Sequence, residues 1–351
     1  MVHGTDSVSG GEMVSFSLIS GLKKEMTDAE IRFFQPDGKG IFAAARSLAR
    51  ILENKDRDSF GHTKAAIDIV HAHGTRASVI VKLAFLFTRV RPTFVYTIHG
   101  IHFAHRGFLR KNIGCVFEYV SNRLYKVALV CVGNSDFHLA KKLQLAPKAH
   151  IYLVPNGVAD ASLRPKQESD QDTKSDTLHL ITAVRFHYQK DTPTLLRAMH
   201  YVADSRISLD IVGSGSEFVK LKHLAERLQL KNVTFLGRRN DVPELLAQAD
   251  IAILSTRWEG LPLFLLEALA LAKPIIASDV HGVRDVVGDD THQLFEMGNA
   301  KQLALRITAL AADSNLRKHI GAKNRLRYVD HFTEEAMVKS YKKLYAELIH
   351  A

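Results

Sequence analysis

Short apolar runs alternate with longer, helix-patterned stretches along most of the chain. Residues 66–73 (Ala-Ile-Asp-Ile-Val-His-Ala-His) read as a buried strand ending in a polar loop, and residues 93–100 read the same way; 129–132 and 151–154 follow. Stretches with helical spacing lie between them, at 108–125 and 135–143. Apolar runs of about four to eight residues are strand-sized, whereas the intervening stretches are long enough for helices. Strand and helix in alternation predict a parallel sheet wrapped by helices. Residues 159–177 then lose hydrophobicity and fill with Lys, Gln, Glu, Ser, Asp and Thr, the composition of a surface linker or long loop. The alternation resumes at 178–184, 209–212, 233–236, 251–254 and 274–277, which predicts a second α/β sheet. No repeat of solenoid period is present.

Bulk composition agrees with this division. A chain of 351 residues, 46% hydrophobic and 24% charged, suits a soluble globular protein of two domains, 1–157 and 158–333. No run of eighteen apolar residues exists to cross a membrane, and the opening Met-Val-His-Gly-Thr-Asp does not form a signal peptide. Cys115 and Cys131 sit in apolar sequence and read as reduced, inert thiols, so a cytoplasmic location is expected.

Charge changes the picture. The formal net charge is +10, and most of it lies in the first domain. No acidic residue occurs between Asp68 and Glu118, while Arg76, Lys82, Arg89, Arg91, Arg106, Arg110 and Lys111 do. A basic half attracts lipid headgroups, phosphorylated acceptors or nucleic acid. Nucleic acid finds no support in motifs: there are no paired Cys/His fingers, no RNP-like aromatic strand and no basic low-complexity tail.

The most informative segment is Glu259-Gly260-Leu261-Pro262-Leu263-Phe264-Leu265-Leu266-Glu267. A glycine-proline turn runs into good helix formers, so it should feed a helix start whose free N–H groups seat a phosphate. Glu267 is placed about two turns into the helix. Carboxylates beside a phosphate seat would repel it, so Glu259 and Glu267 suit hydroxyls instead. A sugar nucleotide has that shape, a diphosphate flanked by two sets of hydroxyls.

Glu259 to Glu267 resembles the glutamate-x7-glutamate motif of the retaining GT-B glycosyltransferases of family 4, a resemblance strengthened by the preceding Trp258 and the following strand at 274–277. Arg185 and Lys190 resemble the family's arginine-x4-lysine signature; two cations on one loop suit a leaving nucleoside diphosphate. Gly213 and Gly215 resemble its valine-glycine-x-glycine turn beside the nucleotide. A dinucleotide fingerprint fails there, since Phe218 stands where its third glycine belongs. Gly237-Arg238 resembles the loop that meets the base, and Gly10-Gly11 the N-terminal glycine loop, although Glu12 follows the pair directly. Only Met1 to Ser9 precede that pair, so the usual first strand is either short and irregular or the chain begins late. His99-Gly100 matches the family's threonine-x-histidine-glycine loop near the transferred sugar. The even spacing of His99, His102 and His105 tempts a metal reading, but no carboxylate is near in sequence. His281 to Asp285 resembles a glycine-glycine-valine-proline-glutamate loop, with His281 and Asp285 departing from it.

The resemblance implies an α/β GT-B fold: two Rossmann-like domains facing across a cleft, with the final helix, 334–351, crossing back onto the first. It implies transfer of a sugar from a nucleotide-sugar donor to a hydroxyl with retained configuration, without metal or other cofactor. Glu259, His99, Arg185 and Lys190 would carry the chemistry. Gly10, Gly11, Gly213, Gly215, Arg238, Gly260, Leu263, Phe264 and Glu267 would join Arg185, Lys190 and Glu259 in binding the donor. The segment Thr97 to Phe103 is similar to bacterial capsule and exopolysaccharide transferases, which implies a lipid-linked glycan acceptor and a peripheral position at the inner face of the cytoplasmic membrane. A nucleotide-sugar epimerase or phosphorylase, or a non-catalytic sugar-nucleotide-binding subunit, are the competing readings.

Overall fold

Two parallel sheets organise the chain. A computed structural model of the protein describes residues 10–35, 40–53, 66–105, 107–160, 162 and 177–350. In chain order the elements begin with α1 (Gly10–Glu25), α2 (Ile41–Leu52), β1 (Ile69–His73), α3 (Thr75–Phe87) and β2 (Thr93–Ile98). Next come α4 (Phe108–Leu124), β3 (Ala128–Cys131), α5 (Asn134–Lys142) and β4 (Ile151–Leu153). The next series is β5 (Leu178–Ala183), α6 (Thr192–Tyr201), β6 (Ile207–Val212), α7 (Phe218–Arg227), β7 (Val233–Gly237) and α8 (Val242–Gln248). The chain closes with β8 (Ile251–Leu254), α9 (Leu263–Ala270), β9 (Ile275–Ser278), α10 (His281–Val287), β10 (Leu294–Phe295), α11 (Ala300–Ala312), α12 (Ser314–His331) and α13 (Glu334–Ile349).

The chain divides into two compact units, Met1–Gly157 with Glu334–Ala351, and Val158–Thr333. In the first, the strand order is β1-β2-β3-β4, all parallel. Parallel neighbours require crossover connections, and helices supply them, so the strands are covered on both faces and read as near-continuous apolar runs. Val70, Ala72, Phe94, Tyr96, Ile98, Leu129 and Cys131 form the centre of that core. Helix α13 returns to this unit. Its Tyr341 hydroxyl lies 2.8 Å from Thr97 Oγ1, its Tyr345 hydroxyl 2.6 Å from His71 Nδ1, and its Glu334 accepts from Ser17 of α1.

In the second unit the order is β10-β9-β8-β5-β6-β7, again all parallel. The chain starts in the middle with β5, builds outward to β7, then returns to build outward from β8 to β10. The point of reversal lies between β5 and β8, and open parallel sheets bind ligands outside the strand carboxyl ends at that point.

Two expectations change. Gly10-Gly11 is the first turn of α1, not a free loop, because the run after it carries helix-forming residues through Glu25. Glu267 lies little more than one turn into α9, not two: the helix begins only at Leu263, with extended Pro262 as its cap. Residues before a proline are pushed out of the helical region, so the turn consumes more of the segment than its spacing suggested. The residues before Gly10, and most of the polar linker, lie outside the described residues. Among the described residues no helix is long and apolar enough to cross a membrane. Both cysteines are free thiols; burial pushes the Cys131 thiol well up, as expected of an inert one.

Candidate active site

The loops after β5 and β8 meet at the point of sheet reversal. After β5 the chain forms a single 3-10 turn, Tyr188–Lys190, and then bends sharply at Asp191, whose φ of 40° and ψ of 36° lie in the left-handed region. Aspartate is one of the few residues tolerated there. The bend is held: the Asp191 carboxylate accepts from the Thr194 hydroxyl at 2.9 Å and from Arg257 at 2.7 Å. Arg257 belongs to the loop after β8, and its guanidinium also lies 4.4 Å from the centre of the Tyr188 ring.

Further bonds tie the two loops together. The Arg257 amide donates to Gln189 O at 2.8 Å, and Gln189 Nε2 donates to Trp258 O at 2.7 Å. The Thr256 amide donates to Ser278 Oγ at the end of β9. Lys190 and Glu259 are thereby brought face to face. Lys190 Nζ is 2.5 Å from Glu259 Oε1, and the Thr256 hydroxyl donates to the same oxygen at 2.8 Å. The Glu259 side chain is 7% exposed and that of Lys190 21%, so the pair is shielded yet reachable from one side.

Directly beyond Glu259 stands the start of α9. Leu265 and Leu266 both donate to Pro262 O, which leaves the amides of Leu263 and Phe264 as the first donors of the helix, outside its ladder. A helix start of this kind carries partial positive charge and seats anions. Gly260 is buried, and the close packing behind it is specific: a Cβ on Gly282 of α10 would come within 2.4 Å of the carbonyl oxygens of both Glu259 and Gly260. Glu267 is half-buried on α9.

Arg185 is exposed at the rim, before the 3-10 turn, and has no ion pair or hydrogen bond among the described residues. The loop that carries it is built by the two glycines after β6. A Cβ on Gly213 would fall 1.9 Å from Val184 O, and one on Gly215 2.4 Å from Phe186 O; both residues have positive φ, at 145° and 153°. These glycines therefore admit the backbone of the arginine loop. Gly237, with φ of 67°, accepts from the Gly213 amide at 2.8 Å, and Arg238 beside it is exposed.

The other predicted residues belong to the first unit. His99 follows β2, with Gly100 at φ of 128°. A Cβ on Gly11 would stand 3.0 Å from the His99 ring, so the first turn of α1 and this histidine are in contact. His99 Nε2 is 3.2 Å from His73 Nδ1 and the two rings stack; His73 lies 4.1 Å, centre to centre, from His71, which Thr97 and Tyr345 hold from either side. Among the described residues no group of His, Cys, Asp or Glu is arranged to hold a metal ion.

Sequence reading gave no role to Thr256, Arg257, Gln189, Asp191 or Gly282. A signal existed for the first: Ser255-Thr256-Arg257 is a polar run placed directly at the carboxyl end of an apolar strand. It missed the inward pair His71 and His73 as well, although histidines alternating with apolar residues inside a strand mark one face.

Known proteins resemble this chain along its length. A family model described as Glycosyltransferase Family 4 matches residues 25–161, and one described as Glycosyl transferases group 1 matches residues 164–327. The UDP-Gal:alpha-D-GlcNAc-diphosphoundecaprenol alpha-1,3-galactosyltransferase of Escherichia coli is 27% identical over 82% of this chain and 77% of its own. The N,N'-diacetylbacillosaminyl-diphospho-undecaprenol alpha-1,3-N-acetylgalactosaminyltransferase of Campylobacter jejuni is 36% identical over 33% of this chain and 31% of its own. Anabaena HepE, solved in complex with UDP and glucose, superposes with a TM-score of 0.78 at 17% identity, covering 97% of each chain.

Proposed function

Because this chain belongs to the family 4, group 1 glycosyltransferases and has their GT-B fold, we propose that it moves a hexose from a uridine diphosphate sugar to a hydroxyl of a lipid-diphosphate-linked saccharide, with retained configuration. The supporting observation is the Lys190–Glu259 pair at the head of α9, at the point of sheet reversal. It sets a cation, a carboxylate and a helix start side by side, which is what a diphosphate joined to a sugar requires. The E. coli relative is named for a UDP-sugar donor and a diphosphoundecaprenol acceptor, and HepE holds UDP and glucose.

In this reading Arg185, Lys190 and the amides of Leu263 and Phe264 bind the diphosphate. Their positive charge opposes the charge that builds on the leaving oxygen, and the reaction needs no metal. Glu259 accepts from hydroxyls of the transferred sugar and Glu267 from those of the ribose. The anomeric C–O bond to phosphate breaks, the bond to the acceptor oxygen forms on the same face, and the acceptor proton passes to the leaving phosphate oxygen. His99, held by His73, orients a sugar or acceptor hydroxyl. The basic first unit meets an anionic membrane surface, where a lipid-linked acceptor is presented in surface polysaccharide synthesis.

A thermal-shift screen against UDP-, GDP-, dTDP- and ADP-sugars tests the donor, followed by transfer from the stabilising donor to undecaprenyl-diphosphate-linked sugar in detergent. A ligand that binds only the native state raises the melting temperature by mass action. Stabilisation by UDP-sugars that Glu267→Ala abolishes, with product of retained anomeric configuration, is the expected result. Donor conversion without acceptor, or binding without turnover on any lipid-linked acceptor, would overturn it.

A further inference from the structure

Helix α4 is built inside out. Leu109, Ile113, Val116, Phe117, Val120 and Leu124 recur at helical spacing and share one face. On an ordinary surface helix that face is buried. Here it points to solvent: Leu109 is 71% exposed, Ile113 61%, Val116 62%, Val120 55% and Leu124 70%. The inward face is the polar one, with Glu118 2% exposed and Asn122 fully buried.

The inversion is held by hydrogen bonds at each of these inward side chains. Glu118 and Ser121 accept from Lys82 of α3 at 3.0 and 2.8 Å, and Asn122 donates to Leu145 O at 2.8 Å. The outward apolar stripe has no such counterpart among the described residues. Contiguous exposed apolar surface of this kind marks a binding face.

Charge selects the partner. Between residues 69 and 159 the only carboxylates are Glu118 and Asp136, and both are buried. No exposed carboxylate therefore comes from that stretch of the chain, while Arg89 and Lys126 are exposed and Lys111 is half-exposed on the helix itself. Leu86 and Phe87, one turn beyond Lys82 on α3, are exposed as well. A second copy of this chain would oppose these cations with its own. A nucleic acid would leave the aliphatic stripe in water. A layer with anionic headgroups above hydrocarbon satisfies both parts at once.

We propose that the outward face of α4 docks on an anionic lipid bilayer, the apolar stripe entering the headgroup boundary and the flanking cations engaging lipid phosphates. This rests on the reading of a lipid-presented acceptor and names the surface that reaches it. Vesicle flotation of the full chain tests it, with phosphatidylcholine vesicles against vesicles that also contain phosphatidylglycerol. Two variants are compared, Ile113→Asp with Val120→Asp in the stripe, and Arg89→Glu with Lys111→Glu beside it. The wild type should float with the anionic vesicles, and each variant should bind about tenfold more weakly. Both variants should keep the wild-type melting temperature and donor-induced shift, since the altered side chains are on the surface. Stripe variants that float like wild type would overturn the proposal, as would a wild type that floats with neither vesicle. So would a dimer in solution that the stripe variants dissociate. Any of these with an intact donor shift overturns the docking surface and leaves the transferase reading standing; the transferase reading fails instead if the donor shift is missing from the wild type.

Discussion

Replacing Gly282 by alanine adds one methyl group, outside the set of residues proposed to touch substrate. Gly282 is the second residue of α10, and its Cβ would be built 2.4 Å from two carbonyl oxygens, those of Glu259 and Gly260. Carbon–oxygen contacts settle at about 3.3–3.6 Å, so the turn must retreat by about 1 Å. Neither oxygen sits on a side chain that can rotate away. Alanine also meets no backbone penalty of its own, because Gly282 is absent from the positive-φ positions, so the clash is the whole effect. The turn that moves carries the Glu259 carboxylate away from Lys190 and shifts the approach to the helix start. A displacement of about 1 Å costs on the order of 100-fold in rate when it lies at the reacting geometry, and overpacking costs about 1–3 kcal/mol of stability. Steady-state transfer kinetics and thermal melting should therefore show kcat/KM down about 100-fold in a protein that still melts cooperatively a few degrees lower. Gly107→Ala serves as control, since among the described residues a Cβ there meets nothing within 4 Å. Wild-type turnover in Gly282→Ala, or an equal loss in Gly107→Ala, would refute the claim that α10 sets the position of the Glu259 turn.

Lys190→Met and Glu259→Gln should each lower kcat/KM by about 100-fold, and the double variant should be no worse than the poorer single one, because residues in direct contact couple by about 0.5–3 kcal/mol; a double-mutant cycle on donor turnover measures this. Glu118→Leu should destabilise the protein by about 3–5 kcal/mol, since it strands the buried Lys82 ammonium, whose pKa burial already draws down. Adding Lys82→Met should recover most of that in urea unfolding. Hydrogen bonding from Arg325 holds the Asp160 carboxyl down at about 2, from an ordinary 3.8. A carboxyl lowered by folding contributes stability that is present above its unfolded value and lost as pH falls through the folded one. Asp160→Asn should therefore be less stable than wild type at pH 6, by no more than about 1 kcal/mol, and the gap should close as pH falls through about 2.

The strands were legible because their signal is local. Runs such as 93–100 and 251–254 are apolar on both faces, as parallel strands between helix layers must be, and β2 and β8 fall within a residue or two of them. Strand β10 escaped because two residues are too few to show a period. Helix α1 escaped because it opens on two glycines, which carry no capping signature. In the site, Arg185, Lys190 and Glu259 were visible through the resemblance of their motifs to those of family 4. Asp191 and Arg257 were not, because their pairing joins positions 66 apart in sequence and depends on which strand neighbours β5. The same limit hid the orientation of α4. A helical period reports that one face is apolar, but not which way it points. That was decided by Lys82, a cation inside α3 that needs Glu118 and so turns the polar face inward.

The Lys190–Glu259 pair carries a consequence for how the proposed donor enters. Without ligand the two charges offset one another, so the largely buried carboxylate is not left unpaired. A diphosphate alone attracts Lys190 but repels Glu259, so it must weaken the pair and gains only part of the ammonium's charge. A diphosphate that still bears its sugar adds hydroxyl donors, which can replace Lys190 on the carboxylate while Thr256 keeps its bond to Oε1. Lys190 is then released to phosphate at no loss to Glu259. The site should thus bind the intact sugar nucleotide more tightly than the free diphosphate left after transfer, and Glu259→Gln, which removes the repulsion, should narrow or reverse that preference. Titration calorimetry of UDP against the stabilising UDP-sugar reads the ratio directly. Equal affinities in the wild type, unchanged in the variant, would mean that the pair is a structural brace and that the transferred sugar does not engage Glu259.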